Sequence, residues 1–183
     1  MIRGLRVELR PVENDDAPLI HRWQNDPEVW WSMDSDRPFS LPDVRDDIAR
    51  SRREEHPFIV TVDGRPVGRI GLSHLSARNR SCSLSPVVGE PDLWAQGYAR
   101  DALMTMLKYA FERLDLHLVH VRTFAANDRL IEVYEGCGFV REAQLRDRSW
   151  KDGRWFDHVE MSVTREEFGT ARERWESEAQ QGA

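Results

Sequence analysis

A chain of 183 residues, 40% hydrophobic and 32% charged, is long enough to bury one full core and is read as a single domain over 1–183. Its formal net charge of −6, with no Lys/Arg-rich block, argues against a nucleic-acid partner and favours a cationic substrate such as an amine. Cys82 and Cys137 make neither a disulfide framework nor a metal set, the six histidines lack metal-ligand spacing, the start at Met1-Ile2-Arg3-Gly4-Leu5-Arg6 has no apolar secretory core, and no apolar run is long enough for a membrane span; the expected setting is the cytoplasm, without metal or membrane.

In chain order, Leu5 to Val12 alternates and predicts a first strand. Asn14-Asp15-Asp16 then caps a helix carrying Leu19, Ile20 and Trp23, which stops near Asn25-Asp26-Pro27. The segment Glu28 to Pro38 gathers Trp30, Trp31 and Met33 beside Asp34 and Asp36. Ser40-Leu41-Pro42-Asp43 opens a second helix, Val44 to Arg53, with Pro42 suited to its first turn. Phe58 to Val62 and Val67 to Leu75 read as strands joined by an Asp63-Gly64 hairpin, with Gly68 and Gly71 as points of bulge or close approach. Ser81 to Val88 is a fourth strand, and Pro86 inside it requires a bulge or a splay.

Leu93-Trp94-Ala95-Gln96-Gly97-Tyr98-Ala99-Arg100 then feeds a helix in which Ala99, Leu103, Met106, Leu107, Ala110, Phe111 and Leu114 recur on one face. The first-turn amides of such a helix have no internal acceptor, and its dipole is positive there, so the turn can hold an anion, usually phosphate. Side chains bulkier than those of Gly97 and Ala99 would keep a diphosphate off the backbone. Leu116 to Phe124 is a fifth strand. Asn127 caps a short helix with Leu130, Ile131, Val133 and Tyr134 that ends at Gly136 or Gly138. Phe139 to Arg146 and Trp155 to Val163 are two final strands turning through Lys151-Asp152-Gly153-Arg154, and Glu166 to Glu178 is a charged terminal helix. The order β α α β β β α β α β β predicts an α/β, mixed sheet that is antiparallel at first, with helices on both faces and the anion site at the carboxyl ends of central strands.

These motifs together resemble the GNAT superfamily of acyl-CoA-dependent N-acyltransferases, and within it the RimJ/RimL type of ribosomal-protein N-terminal acetyltransferases. The family's diphosphate loop is Gln/Arg-x-x-Gly-x-Gly/Ala, and here Trp94-Ala95-Gln96-Gly97-Tyr98-Ala99 is similar, with Trp in first place. Asn127-Asp128 with Tyr134, Gly136, Gly138 and Phe139 resembles the second motif. Trp23-x-Asn25-Asp26-Pro27-Glu28-Val29, Glu142 through Arg146, Asp152-Gly153-Arg154 and Asp157 resemble the branch. The resemblance implies a mostly antiparallel sheet of about seven strands whose fourth and fifth strands splay into a V. It implies acetyl-CoA as cofactor, with the pantetheine arm beside Pro86, Val87 and Val88, the diphosphate on the amides from Gln96 to Arg100, and Trp94 and Ala95 within the same loop. The Arg100 side chain either adds a charge-assisted contact there or is a solvated helix residue. The branch implies a homodimer or a monomer.

The implied reaction is attack of an amine on a thioester in a ternary complex. A protein N-terminal amine, with a pKa of ~7.7–8.0, is partly neutral at pH 7, whereas a lysine-like amine at ~10.4 needs a base. Tyr134 stands at the family position of the acid that protonates or orients the leaving sulfur; its other reading is a core aromatic. Asn127 stands where the family anchors the cofactor arm or orients the active-site backbone, and it is also a helix cap. Relatives often carry a Glu on the fourth strand, but Ser81-Cys82-Ser83-Leu84-Ser85 has no carboxylate. Ser83 or Ser85 holding a relay water, His74, His120, or deprotonation without a dedicated base are the alternatives. A backbone N–H near Val87 would polarise the carbonyl. Trp30, Trp31, Met33, Asp34 and Asp36 supply aromatic walls and negative charge for an acceptor ammonium, whether a protein N-terminus or a small amine, in a pocket shared with the final hairpin; Trp30 and Trp31 as cover for the core is the other reading. A CoA-binding regulator without turnover is the competing class, and a dinucleotide-binding oxidoreductase fits poorly for want of a full G-x-G-x-x-G.

Overall fold

The computed structural model describes every residue except Met33, Asp34, Asp36, Pro86, Ala95, Gly182 and Ala183. Nine strands form one sheet in the order β1-β2-β3-β4-β5-β7-β9-β8, with β6 paired to β4. They are β1 (Ile2–Arg3), β2 (Glu8–Pro11), β3 (His56–Val62), β4 (Arg65–Ser76), β5 (Ser81–Leu84), β6 (Val87–Val88), β7 (Leu118–Phe124), β8 (Val140–Lys151) and β9 (Arg154–Thr164). Two of the nine, β1 and β6, are two-residue pieces. The strand expected over Leu5 to Val12 is observed as β2 alone, β1 lies ahead of it and was not predicted, and β6 arises because the expected fourth strand is interrupted after Leu84. The helices are α1 (Ala17–Gln24), α2 (Pro27–Ser32), α3 (Leu41–Glu54), α4 (Tyr98–Lys108), α5 (Asp128–Gly136) and α6 (Arg165–Gln181).

Alternation within the strands divides the core into two layers. Ile59 joins Val12 with Ile20, Trp23, Val44 and Ile48 of α1 and α3. Its neighbour Val60 points the other way, with Ile70, Leu72, Leu84, Val121 and Met161, onto Leu103, Leu107, Ile131 and Phe168 of α4, α5 and α6. Helices therefore lie on both faces, as the sequence pattern predicts. Ser40 caps α3 by accepting from the Asp43 amide at 3.2 Å, while Asp43 accepts from the Ser40 amide. Asp63 (φ 50°) and Gly64 (φ 76°) turn β3 into β4. The six-residue helix α2 was not predicted, because one and a half turns are too short to show periodicity. It starts at Pro27 after Asp26, whose carboxylate accepts from the Glu28 amide at 2.9 Å.

All strand pairs are antiparallel except β5 and β7, whose parallel ladder has the rungs Ser81–Leu118, Cys82–Val119 and Ser83–His120. Above that last rung the two strands part. Ser85 N donates to Gly71 O at 3.1 Å, and the chain resumes as β6 opposite Gly68 and Arg69 of β4 rather than beside β7. This is the predicted V. Pro86, to which the splay was ascribed, lies outside the described residues.

The V is braced from both sides. Gly89 and Glu90 amides both donate to Val67 O, and a Cβ on Gly89 would fall inside the indole of Trp23. The buried Glu90 carboxylate accepts from Trp23 Nε1 at 2.9 Å and Arg22 at 2.5 Å, and the arginine bond holds it below the usual carboxylate range. On the other side, buried Asp101 in the first turn of α4 accepts from the amides of Leu5, Arg6 and Val7 at 3.1, 2.7 and 2.9 Å, and from Trp175 Nε1 at 2.9 Å. One carboxylate thus ties the residues between β1 and β2 to both α4 and α6. No helix of the described residues is long and apolar enough to cross a membrane.

Candidate active site

Gly97 is the N-cap of α4 with φ 84° and ψ −3°, a conformation that disfavours a side chain, and no side chain caps the helix. The first-turn amides of Tyr98, Ala99 and Arg100 are thus left without an intrahelical acceptor at the positive end of an eleven-residue helix. An ideal Cβ at Gly97 would meet a single side-chain atom within 4 Å, Arg6 Nη1 at 3.4 Å. The loop is a main-chain cradle open to an anion, so the residues present fit the diphosphate of a coenzyme. Gln96 braces it by donating from Nε2 to Asp92 O at 3.0 Å, and Trp94 lies under the Arg129 guanidinium at 5.3 Å. Ala95 lies outside the described residues.

Arg6 is the residue that sequence reasoning missed. Its guanidinium donates to Gln96 O at 2.7 Å and lies 4.4 Å above the Tyr98 ring, while its own amide is fixed by Asp101. It precedes the loop by ninety positions and no local motif marks it. Arg100, read from the sequence as either a contact at the loop or a solvated helix residue, makes a two-pronged pair with Glu178 of α6 at 2.5 and 3.1 Å. Its Nε is buried without a hydrogen-bond partner among the described residues. The Arg100 side chain is therefore committed to α6 in this structure, and the guanidinium at the cradle is that of Arg6. Arg6→Ala is expected to weaken coenzyme A binding by roughly 10-fold, the loss of one charge-assisted contact, without unfolding the chain; titration calorimetry with a thermal melt checks both.

At the inner end, Asn127 caps α5 by accepting from the Leu130 amide at 3.2 Å. Tyr134 lies on the inner face of α5, 2% exposed, with its ring 5.3 Å from that of Phe139. Burial pushes its phenol well above the ordinary value, so it stays protonated at neutral pH. Gly138 (φ 94°) ends α5, with the Phe139 amide returning to Tyr134 O at 3.1 Å. Cys82 and Cys137 are buried free thiols, each pushed up to about 12 by burial and so held as inert neutral groups. Ser83 Oγ and His120 Nε2 share a hydrogen bond of 2.7 Å across the last parallel rung, and Ser85 is exposed just above it. His74 (φ 50°) bonds only its neighbour Ser73.

On the α1–α3 face a cavity of about 210 Å³ reaches from Ser85 and Ser73 to Gln24, Asp47, Glu55 and Arg69. Asp47 is balanced by Arg69 at 2.7 Å and Arg50 at 2.6 Å. Glu55 has no ion pair among the described residues, and Gln24 Oε1 is buried without a hydrogen-bond partner there. Both of these groups are acceptors. Elsewhere α2 meets the β8–β9 hairpin: Lys151 Nζ donates to Trp30 O at 3.1 Å and sits 4.7 Å from the Trp30 ring. The Trp31 side chain, Asp34 and Asp36 lie outside what the structure describes. Among the described residues no cluster suits a metal ion.

Comparison with known proteins bears on this arrangement. A family model described as an acetyltransferase (GNAT) domain matches residues 6–140. Spermidine N(1)-acetyltransferase of Vibrio cholerae is 23% identical over 166 residues, 89% of this chain and 95% of that one. The Bacillus subtilis protein YdaF, named provisionally as a ribosomal N-acetyltransferase, is 25% identical over 88% of this chain and 93% of its own length. Among solved structures, the Vibrio cholerae spermidine N-acetyltransferase in complex with CoA and spermine superposes with a TM-score of 0.82 at 23% identity, covering 89% of this chain and 98% of that one, and shares the fold.

Proposed function

The chain belongs to the GNAT acetyltransferase family and is an acetyl-CoA-dependent N-acetyltransferase, and within that activity we propose that its acceptor is a small amine bearing more than one positive charge. The observation that carries this reading is the cavity beside Ser85, whose unspent groups, Gln24 Oε1 and the Glu55 carboxylate, accept hydrogen bonds and donate none. A buried acceptor without a donor costs about 1–3 kcal/mol, which an ammonium ligand recovers. The spermidine acetyltransferases among the relatives and the net charge of −6 support the same class.

Acetyl-CoA supplies an acyl carbon activated as a thioester. Under this reading the amides from Gln96 to Arg100, with Arg6, hold its diphosphate, and Val87 and Val88 of β6 lie along its pantetheine arm. Asn127 fixes the start of α5. Tyr134 gives its phenolic proton, or a hydrogen bond, to the departing sulfur. Glu55 and Gln24 hold the distal ammonium while the reacting nitrogen lies at Ser85, so much of the rate comes from placement. Pro86 and Ala95 complete the proposed coenzyme site, and Trp30, Trp31, Asp34 and Asp36 the acceptor side.

A panel of diamines, polyamines, monoamines and N-terminal peptides, followed by thiol release, tests the assignment. Glu55→Gln is expected to raise KM for spermidine roughly 10-fold, about 1.4 kcal/mol of lost pairing, and to leave monoamines and coenzyme affinity unchanged. Monoamines preferred over polyamines by the natural protein would overturn it. A second reading, acetylation of a ribosomal protein N-terminus, is favoured by the similarity to YdaF and by Trp150 and Trp155, 61% and 56% exposed on the hairpin as an apolar platform a peptide could cover. Peptide turnover exceeding polyamine turnover in the same panel would select it.

A further inference from the structure

We propose that His120, acting through the Ser83 hydroxyl, accepts the proton that the amine gives up. The inference rests on the amine-acetyltransferase reading above and assigns the step that reading leaves without a residue. The balance of the reaction requires an acceptor. An ammonium R–NH3+ and a thioester become an N-acetyl amine, a free thiol and one proton. The nitrogen must first lose a proton to expose its lone pair. The C–N bond then forms as the C–S bond breaks with its electron pair passing to sulfur, and of the two protons the nitrogen sheds, sulfur takes one. The other goes to a base.

No carboxylate stands on β5, whose sequence is Ser81-Cys82-Ser83-Leu84. Three other histidines are bonded elsewhere. His56 Nδ1 bonds Tyr109 Oη at 2.9 Å, His158 Nε2 bonds Ser149 Oγ at 2.9 Å within the β8–β9 pair, and His74 bonds the adjacent Ser73. His120 alone among them is bonded to a residue of β5, at the rung where β5 and β7 separate. Ser83 and Ser85, two residues apart, share one side of the chain, and Ser85 lines the acceptor cavity. The hydroxyl of Ser83 thus lies between the cavity and the imidazole, while the exposed ring can pass its proton on to water.

The neighbouring elements leave the imidazole without an ion-pair partner among the described residues. From β5 it is bonded to Ser83. From β9 it faces Ser162, whose hydroxyl donates to Glu142 of β8, so that this carboxylate is engaged elsewhere. Further along β7, Arg122 is paired with Glu160. From β4, Ser73 stands opposite Ser83. No carboxylate is bonded to the ring among the described residues to hold it permanently as a cation.

The test is kcat/KM for spermidine from pH 6 to 10 in the natural protein, His120→Gln and Ser83→Ala, with coenzyme A affinity measured for each by calorimetry. His120→Gln is expected to lose roughly 100-fold at pH 7. The gap should close as pH rises towards the amine's own pKa of ~10.4, where neutral amine no longer needs a base. The natural protein's profile levels off within this range, and the variant's continues to climb. Ser83→Ala should show the same closing gap from a smaller initial loss, with coenzyme affinity unchanged in both. A deficit constant across pH, a deficit matched by lost coenzyme affinity, or no deficit would each overturn the assignment to His120 while leaving the acetyltransferase reading intact. Failure of the natural protein to turn over any amine would overturn both.

Discussion

Replacing Tyr134 by phenylalanine is expected to lower kcat roughly 100-fold while leaving coenzyme A affinity within about 2-fold, because the change removes a proton donor and almost no volume. Tyr134 is buried between α5 and the sheet, and phenylalanine keeps its contact with Phe139. The phenol is pushed up by its burial and so remains protonated through the working range, which suits a group that must still hold its proton when sulfur departs. A thiol of pKa ~8.5 is a moderate leaving group, so deleting the donor slows the reaction without abolishing it. Single-turnover rates with bound coenzyme, set beside equilibrium binding, separate the two quantities. Unchanged kcat would reduce Tyr134 to a core aromatic. Loss of coenzyme binding in step with rate would make the hydroxyl structural.

Asp101→Ala is expected to destabilise the fold by about 4 kcal/mol, because a single buried carboxylate satisfies four donors at once. Three are consecutive main-chain amides, Leu5, Arg6 and Val7, and the fourth is the Trp175 indole. Alanine leaves all four without an acceptor, and two of them, the Val7 amide and the Trp175 indole, are in buried bonds that water reaches poorly. For a chain of this size the loss corresponds to a fall in Tm of roughly 10 °C, measurable by calorimetry. Asp101→Asn, which retains one acceptor oxygen, should lose less. Coenzyme binding should fall in the surviving folded fraction, since Arg6 reaches the Gly97 loop from the segment that Asp101 anchors. A melt within 2 °C of the natural protein, about half a kcal/mol, would show that water replaces the carboxylate.

Local chemistry made most of the fold legible. Ser40 and Asp43 closing on each other, Asp63-Gly64, Asn127 and Asp152-Gly153 are signals within four residues, and the structure honours each. The order of elements predicted helices on both faces, and the core is divided between those faces. The splay was inferred from a proline, and the register of the parallel pair locates it at Ser83 and His120. What the sequence hid lies far apart in the chain. Arg6 meets Gln96, and Arg100 meets Glu178 seventy-eight positions on, so neither the cation at the loop nor the partner of Arg100 could be read from spacing. The same holds for the cavity, since Gln24, Glu55 and Ser85 come from a helix, a helix end and a broken strand. The early motif Trp23-x-Asn25-Asp26-Pro27 resembled a family signature, and in the structure its members do scaffold work: Trp23 on Glu90, Asp26 and Pro27 starting α2.

Asn25 extends that work in a way that bears on how such an enzyme changes its diet. Its Oδ1 accepts from the Phe39 amide at 2.9 Å and its Nδ2 donates to Phe39 O at 3.0 Å, so one side chain pins together the two ends of the segment from 26 to 38. The stretch between is held at its ends. Its contents can be lengthened, shortened or recharged by mutation while α1, α3 and the coenzyme loop keep their positions. Under the proposed acceptor role of this stretch, selection for a new amine can therefore work inside it without reopening the problem of how the rest of the chain folds.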